Sequence, residues 1–321
     1  MRALLAGFLL CGVAACVAIP AHATSPGKNG QIAYQHVGKN LFVINADGTG
    51  DRKLTEPTGA EDDDPDWSPN GSAIAFNRCA QYCQIWRINA DGTGLKRLGP
   101  SCPPTCDVRG LPAWSPSGKA IALGRQWGPV ENDQIKFSEI FVMNASGGGL
   151  RQVTHITTAN PFSADVGGSM WSPNGKQIVF VVHNSSLADP AGGSALFIID
   201  ADGSALHQLT PWELNAGGVR PDWSPDGRLI LFRVPVGTKE HRGDIYTIHP
   251  DGTGLERLTH YGPNKAVDNP SFSPDGKWIT FSRFSTKGPY PDVFAMHLNG
   301  AGVHQVTRTG VNNAPDWGPA H

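Results

Sequence analysis

Short runs of apolar and alternating residues recur along the whole chain, each enclosed by turn-forming residues. Ala73-Ile-Ala-Phe76, Gln177-Ile-Val-Phe180 and Ile245-Tyr-Thr-Ile248 are of this kind. Such runs predict half-buried β-strands. Two punctuating motifs separate them. The first reads Trp67-Ser-Pro-Asn-Gly71 and returns at Trp114–Gly118, Trp171–Gly175, Trp223–Gly227 and Phe272–Gly276, with a shortened copy at Trp317-Gly-Pro319. The steps between copies are 47, 57, 52, 49 and 45 residues. Its Pro presets φ at the second position of a turn, and its Gly accepts the positive φ that follows.

The second motif alternates with the first. It reads Asn45-Ala-Asp-Gly-Thr-Gly50, and related copies begin at Asn89, Asn144, Asp200, His249 and Leu298. Most copies lead into a polar residue, an apolar residue and Thr, as in Arg257-Leu-Thr259. Each repeat therefore predicts four strands. Strand A ends at the Trp, strand B follows the Ser-Pro-x-Gly turn, strand C precedes the Asp-Gly turn and strand D ends at Leu-Thr. Four strands in about 45–50 residues make one propeller blade, and six copies predict an all-β, six-bladed β-propeller of four-stranded antiparallel blades. Gly30–Tyr34 is a strand B with no strand A before it, and Ala314–Trp317 is a strand A with no strand B after it. Pairing of these N- and C-terminal strands closes the ring and removes its open edge.

Composition narrows the class further. The chain of 321 residues holds 39 Gly and 26 Pro, with 17% charged residues. That excludes a helical bundle, since Gly and Pro are the poorest helix formers. No Gly-X-Y period is present, which excludes collagen. Nine Trp and thirteen Phe supply core side chains that a disordered chain lacks. The net charge is −2, without a run of Lys or Arg, so the electrostatic footprint of a nucleic-acid binder is missing.

Residues 1–23 read as a signal peptide. Arg2 begins it, an apolar stretch runs to Ile19, and Ala21-His22-Ala23 supplies the cleavage site. The stretch falls below the roughly 20 residues that span a bilayer, so no transmembrane segment is expected. Val13-Ala14-Ala15-Cys16 offers a second reading, a lipoprotein anchored through Cys16. Both readings make the protein exported, periplasmic or secreted, with residues 24–321 as the mature propeller. Cys79, Cys83, Cys102 and Cys106 remain in that chain as two Cys-x-x-x-Cys pairs. Disulfides are expected in an oxidising compartment, with three connectivities open. A four-cysteine zinc site and free thiols are the alternatives.

The Trp-Ser-Pro-x-Gly core, in register five times, resembles the repeat of TolB-like propellers, also called the WD40-like or PD40 repeat. The resemblance extends from about residue 27 to 319 and implies the propeller fold. Only a few residues separate Ala23 from the first strand, so the additional N-terminal domain of TolB is not expected, and binding of its partner Pal does not carry over. Some relatives are enzymes. Prolyl oligopeptidases add a serine-hydrolase domain, but this sequence has no Gly-x-Ser-x-Gly elbow. Oligogalacturonate lyases hold a metal through channel histidines, and His155, His183, His241 and His260 fall on the corresponding face, without paired metal-ligand spacing such as His-x-His.

The repeated residues themselves are read as structural. Trp67, Trp114, Trp171 and Trp223 are expected to fill the space between blades, with ligand stacking as the alternative. Asp47, Asp91, Asp202 and Asp251 belong to hairpin turns. Asn45, Asp47, Thr49, Gly50 and Glu56 also fall at calcium-loop offsets.

Antiparallel strands place the A–B and C–D turns on one face of the ring and the B–C and D–A loops on the other. All length variation falls on this loop face, including Arg125–Glu139, His183–Ser194, Gly99–Pro112 and His155–Ser169. Loops carried by a rigid scaffold are where binding residues concentrate, and the cysteines are expected to brace this face. The inner rim before each Trp offers Asp62, Asp63, Asp64, Arg109, Asp165, Arg220, Asp268, Asn269, Asn312 and Asn313. This acidic mouth suits a basic or polar segment of an envelope protein, or a Ca or Mn ion held by oxygen ligands. A solvated rim is the plain alternative. The expectation is therefore a monomeric, non-catalytic protein-binding scaffold without a cofactor. The competing expectation is a propeller lyase or hydrolase acting on sugars or lactones, with a metal at the channel mouth.

Overall fold

The computed structural model describes residues 26–100, 106–107, 111–131, 134–159, 164–184, 193–235, 243–261, 266–284 and 291–320. Residues 1–23, read above as a signal peptide, and Cys102, Arg109 and His241 lie outside the described residues. Six antiparallel sheets form the ring. The innermost strands are Glu61–Trp67, Ala164–Trp171, Gly217–Trp223, Ala266–Phe272 and Asn312–Pro319, together with Cys106–Asp107 and Ala113–Trp114 in the remaining blade. The outer strand of every blade is two residues long, as in Arg52–Lys53 and Lys96–Arg97. Such short edges offer little for another chain to pair with.

The closing blade has the order Asn312–Pro319, Asn29–His36, Asn40–Ile44, Arg52–Lys53. Ile32 pairs with Trp317 and His36 with Asn312. Both chain ends thus share one sheet, as the unmatched first and last strands require. The only helical elements among the described residues are single turns at Ile156–Ala159 and Trp212–Leu214, and none is long and apolar enough to cross a membrane.

The turn motifs have local causes. In the first motif the Gly N–H donates to the Ser carbonyl, as Gly227 does to Ser224 at 2.8 Å. The Ser224 hydroxyl donates to Asp226 and accepts from the Leu229 N–H. In the second motif Asp47 accepts from both the N–H and the hydroxyl of Thr49. Glu56, the last position of the calcium-loop reading, instead pairs with Lys53 at 2.6 Å. The Leu-Thr ending also has a structural task. The hydroxyls of Thr55, Thr154, Thr210, Thr259 and Thr307 each accept a backbone N–H of the neighbouring strand C.

Trp67, Trp114, Trp171, Trp223, Phe272 and Trp317 are all buried. Trp67 packs with Ala33, Leu41 and Val43 of the preceding blade as well as with Ile74 and Phe76 of its own. The rings therefore sit between blades, as the repeat implies.

One expectation fails. Residues 125–139 are not a loop: strand pairing continues from Ala120 through Glu131 and returns from Gln134. Gln126-Trp127 also pairs with Cys106-Asp107. Trp127 packs against Phe137 and Phe141, and this aromatic cluster makes the extended hairpin worth forming.

Candidate binding site at the channel mouth

The inner strands deliver two sets of side chains to the ring axis. The first set comes from the triplet Pro-Asp-Trp, which occurs at Pro65–Trp67, Pro221–Trp223 and Pro315–Trp317. The Oδ2 atoms of Asp66, Asp222 and Asp316 accept from the backbone N–H of Trp114, Phe272 and Trp67, at 2.7, 2.7 and 2.8 Å. Each bond joins one blade to the next. The second oxygens of two of these carboxylates face Arg220, which reaches Asp66 Oδ1 at 3.3 Å and Asp316 Oδ1 at 3.0 Å. All four side chains are buried.

The electrostatics follow from that burial. Desolvation pushes Asp222 up to about 7, although the Phe272 N–H and Arg220 favour its charge. Asp66 is raised well above the carboxylate range, first by burial and then by the Asp316 charge. Burial also works against the Arg220 charge, but Asp316, Asp66, Asp222 and Asp64 outweigh it and hold the guanidinium above its ordinary value. This cluster fastens the wheel at its hub.

The second set forms the mouth. Asp64, Gly168, Asn269 and Ala314 each stand three residues before the Trp or Phe, and each has a left-handed φ of 47 to 60°. The ladder skips a step at the same places. These are β-bulges, which re-aim side chains. Asp62 is fully engaged by Arg78, with both of its oxygens bonded, at 2.5 and 2.7 Å. Arg233 stands 3.4 Å from Asp268. Asn269 donates to Asn313 at 3.3 Å, joining adjacent blades.

Asp63 and Asp64 are half-buried, and among the described residues no ion pair matches them. Burial, then the Asp64 and Glu61 charges, push Asp63 up to about 9. Asp64 rises to about 6, driven by burial and moderated by Arg220 and Asn77.

The structure thus brings Asp63, Asp64, Arg220, Asp268, Asn269 and Asn313 to the channel wall. Asp62 is held beside it by Arg78, and Arg109 lies outside the described residues. Asn312 turns into its own blade, donating to Asp292 and Thr309. Asp165 is exposed and accepts from Gln126 and Ser138. The described histidines of the candidate set, His155, His183 and His260, do not converge either. His183 shares a 2.5 Å hydrogen bond with Ser194, His155 contacts Gln152, and His260 is exposed. Among the described residues no three His, Cys, Asp or Glu side chains are grouped so as to hold a metal ion.

One cysteine pair is joined, and Cys102 and the Cys106 side chain lie outside the described residues. Cys79 and Cys83 form a disulfide across the B–C hairpin of the second blade, which removes the four-cysteine zinc reading.

Sequence reasoning missed two features. The Pro-Asp-Trp triplets were a visible signal for the buried carboxylates. A cationic or imidazole side chain also recurs at one strand-B position and rests on the strand-C aromatic. Arg78 lies 5.0 Å from Trp86, Arg125 5.6 Å from Phe141 and Arg283 3.5 Å from Phe294, with His36 beside Phe42. These contacts stiffen the loop side of four blades.

Residues 161–321 match the PD40 family, described as the TolB beta propeller domain. A stretch of 69 residues is 39% identical to dipeptidyl-peptidase 5 of Porphyromonas endodontalis, and one of 58 residues is 40% identical to the Tol-Pal system protein TolB of Rhizorhabdus wittichii. These stretches cover 22% and 17% of the chain, but only 10% and 13% of the relatives' lengths. Among solved structures, TolB from Acinetobacter baumannii superposes with a TM-score of 0.68 at 19% identity, over 91% of this chain and 67% of that one. An oligogalacturonate lyase in complex with manganese superposes at 0.53 and 13% identity, over 88% of this chain and 74% of that one. At such identities the likeness is one of fold.

Proposed function

The chain belongs to the TolB beta-propeller (PD40) family, and on that premise we propose that it is an exported, non-catalytic scaffold that binds a segment of an envelope protein at the loop-face mouth. One observation carries this reading. Among the described residues, the half-buried Asp63–Asp64 pair of the mouth has no cation within ion-pair distance, and it sits on a frame braced by interblade bonds and the Cys79–Cys83 disulfide. A basic or polar segment supplies what that wall lacks. The leader at residues 1–23 and the named likeness to Tol-Pal system proteins support the envelope setting.

The test is binding of envelope proteins to the purified chain and to a variant with Asp63→Asn and Asp64→Asn. The reading expects a specific partner that the variant loses while its fold is retained. Metal analysis of the same preparation addresses the competing reading. A stoichiometric Mn, Ca or Zn held by mouth residues would move the assignment to a lyase or hydrolase acting on sugars or lactones.

A further inference from the structure

The carboxylates at and beside the channel wall are matched, except for Asp63 and Asp64. Asp62 has Arg78, Asp268 has Arg233, and Asp66 and Asp316 share Arg220. Asp222 accepts two backbone N–H groups. Among the described residues no cation lies within ion-pair distance of Asp63 or Asp64. Asp63 Oδ1 is buried without a hydrogen-bond partner, and Asp64 receives one long bond, from Asn77 Nδ2 at 3.4 Å.

Asn77 makes the second, independent point. It stands opposite Asp63 in the ladder and is 2% exposed. Its Nδ2 is directed at Asp64, yet its Oδ1 is buried with no partner. A buried carbonyl oxygen without a donor is destabilising. Two orphan acceptors and a second carboxylate therefore meet on one wall. The complement is a cation with several N–H donors fanned in a plane. A guanidinium has five such donors and is weakly hydrated. It is also the group this chain uses for every carboxylate on the wall that a side-chain cation matches. A bare metal ion fits less well, since no three acidic or other ligating side chains converge among the described residues.

We propose that Asp63, Asp64 and Asn77 form a cradle for a guanidinium group, the side chain of an arginine on the protein bound at the mouth. The inference rests on the protein-binding reading above and names its anchoring contact. The bulge at Asp64, with φ of 50°, turns two consecutive carboxylates toward one ligand where a regular strand would send them to opposite faces.

The experiment uses the full mature chain and three small probes: L-argininamide, the uncharged isostere L-citrullinamide, and calcium chloride. Binding is followed by NMR through the Asn77 side-chain amide. The cradle predicts saturable argininamide binding, at least tenfold tighter than citrullinamide. Asp63→Asn and Asp64→Asn each weaken it about tenfold or more. Both replace a half-buried acid by an amide of the same size, so their folding is expected to hold. Asn77→Leu, checked by circular dichroism, removes the orphan carbonyl and weakens binding as well. Equal binding of argininamide and citrullinamide, no saturable binding, or calcium binding that argininamide does not displace would each overturn the cradle. If argininamide fails while a partner is still lost on neutralising the mouth, the cradle fails alone. If no partner engages the mouth, the scaffold reading fails with it.

Discussion

Arg220 donates to Asp316 at 3.0 Å across 96 residues of sequence, tying the fifth blade to the strand that closes the ring. The same guanidinium reaches Asp66 of the second blade. Removing it leaves buried carboxylates uncompensated, which costs about 3–5 kcal/mol. Arg220→Met is therefore expected to lower the melting temperature by roughly 10 °C or more. Thermal denaturation at neutral pH reads this directly, and an unchanged midpoint would contradict the hub.

The hub also sets a pH dependence. Asp222 is raised to about 7 and Asp64 to about 6, both chiefly by burial. Between the ordinary carboxylate range and these values the folded chain holds more protons than the unfolded one, so stability falls as pH rises. His183 and His36, lowered chiefly by burial, oppose this below their ordinary value. The expectation is a higher melting temperature near pH 5 than near pH 8. Asp222→Asn should flatten the slope. A midpoint that climbs steadily from pH 5 to 8 would refute it.

Gly318 replaces the Ser of the other Trp-Ser-Pro copies for a steric reason. A Cβ at this position would lie 2.5 Å from Trp67 Cγ. Restoring the repeat with Gly318→Ser should destabilise the ring, by about 1–3 kcal/mol in the manner of an overpacked core. Chemical denaturation measures it, and a stabilised variant would show that the seam has room.

Closure makes a further prediction. Residues 312–319 supply the inner strand of the blade that the N-terminal strands complete. Deleting residues 311–321 strips that blade of its inner strand and removes Asp316. The deletant should lose cooperative unfolding. A melting temperature equal to that of the full chain would sink the closure.

Much of this was legible in the sequence because a repeat reports its own geometry. Trp67-Ser-Pro and Asn45-Ala-Asp-Gly mark turns whose hydrogen bonds are local, so their spacing alone gives strands and blades. The unmatched strands at Gly30 and Trp317 gave the seam in the same way. The hub was not legible, because Asp66 and Arg220 are 154 residues apart and meet only once the ring has formed. The mouth was legible in part. Asp64 and Asn269 reach it because bulges turn them inward, whereas Asn312 lies where its strand pairs with His36 and turns away. The hairpin through Glu131 and Gln134 reads as a loop in the sequence because it exceeds the strand length of the other repeats, although Trp127 pairs directly with Phe137 across it.

The central claim is that the loop-face mouth, and not the turn face, engages a protein partner. A photoreactive benzoylphenylalanine placed at Asp165 on the loop face, and separately at Asp226 on the turn face, tests it inside living cells; both positions are exposed. The account predicts a discrete adduct of defined mass from position 165 alone, diminished when Asp63→Asn and Asp64→Asn are added. An adduct from position 226 alone, or an adduct at 165 indifferent to those carboxylates, would contradict it.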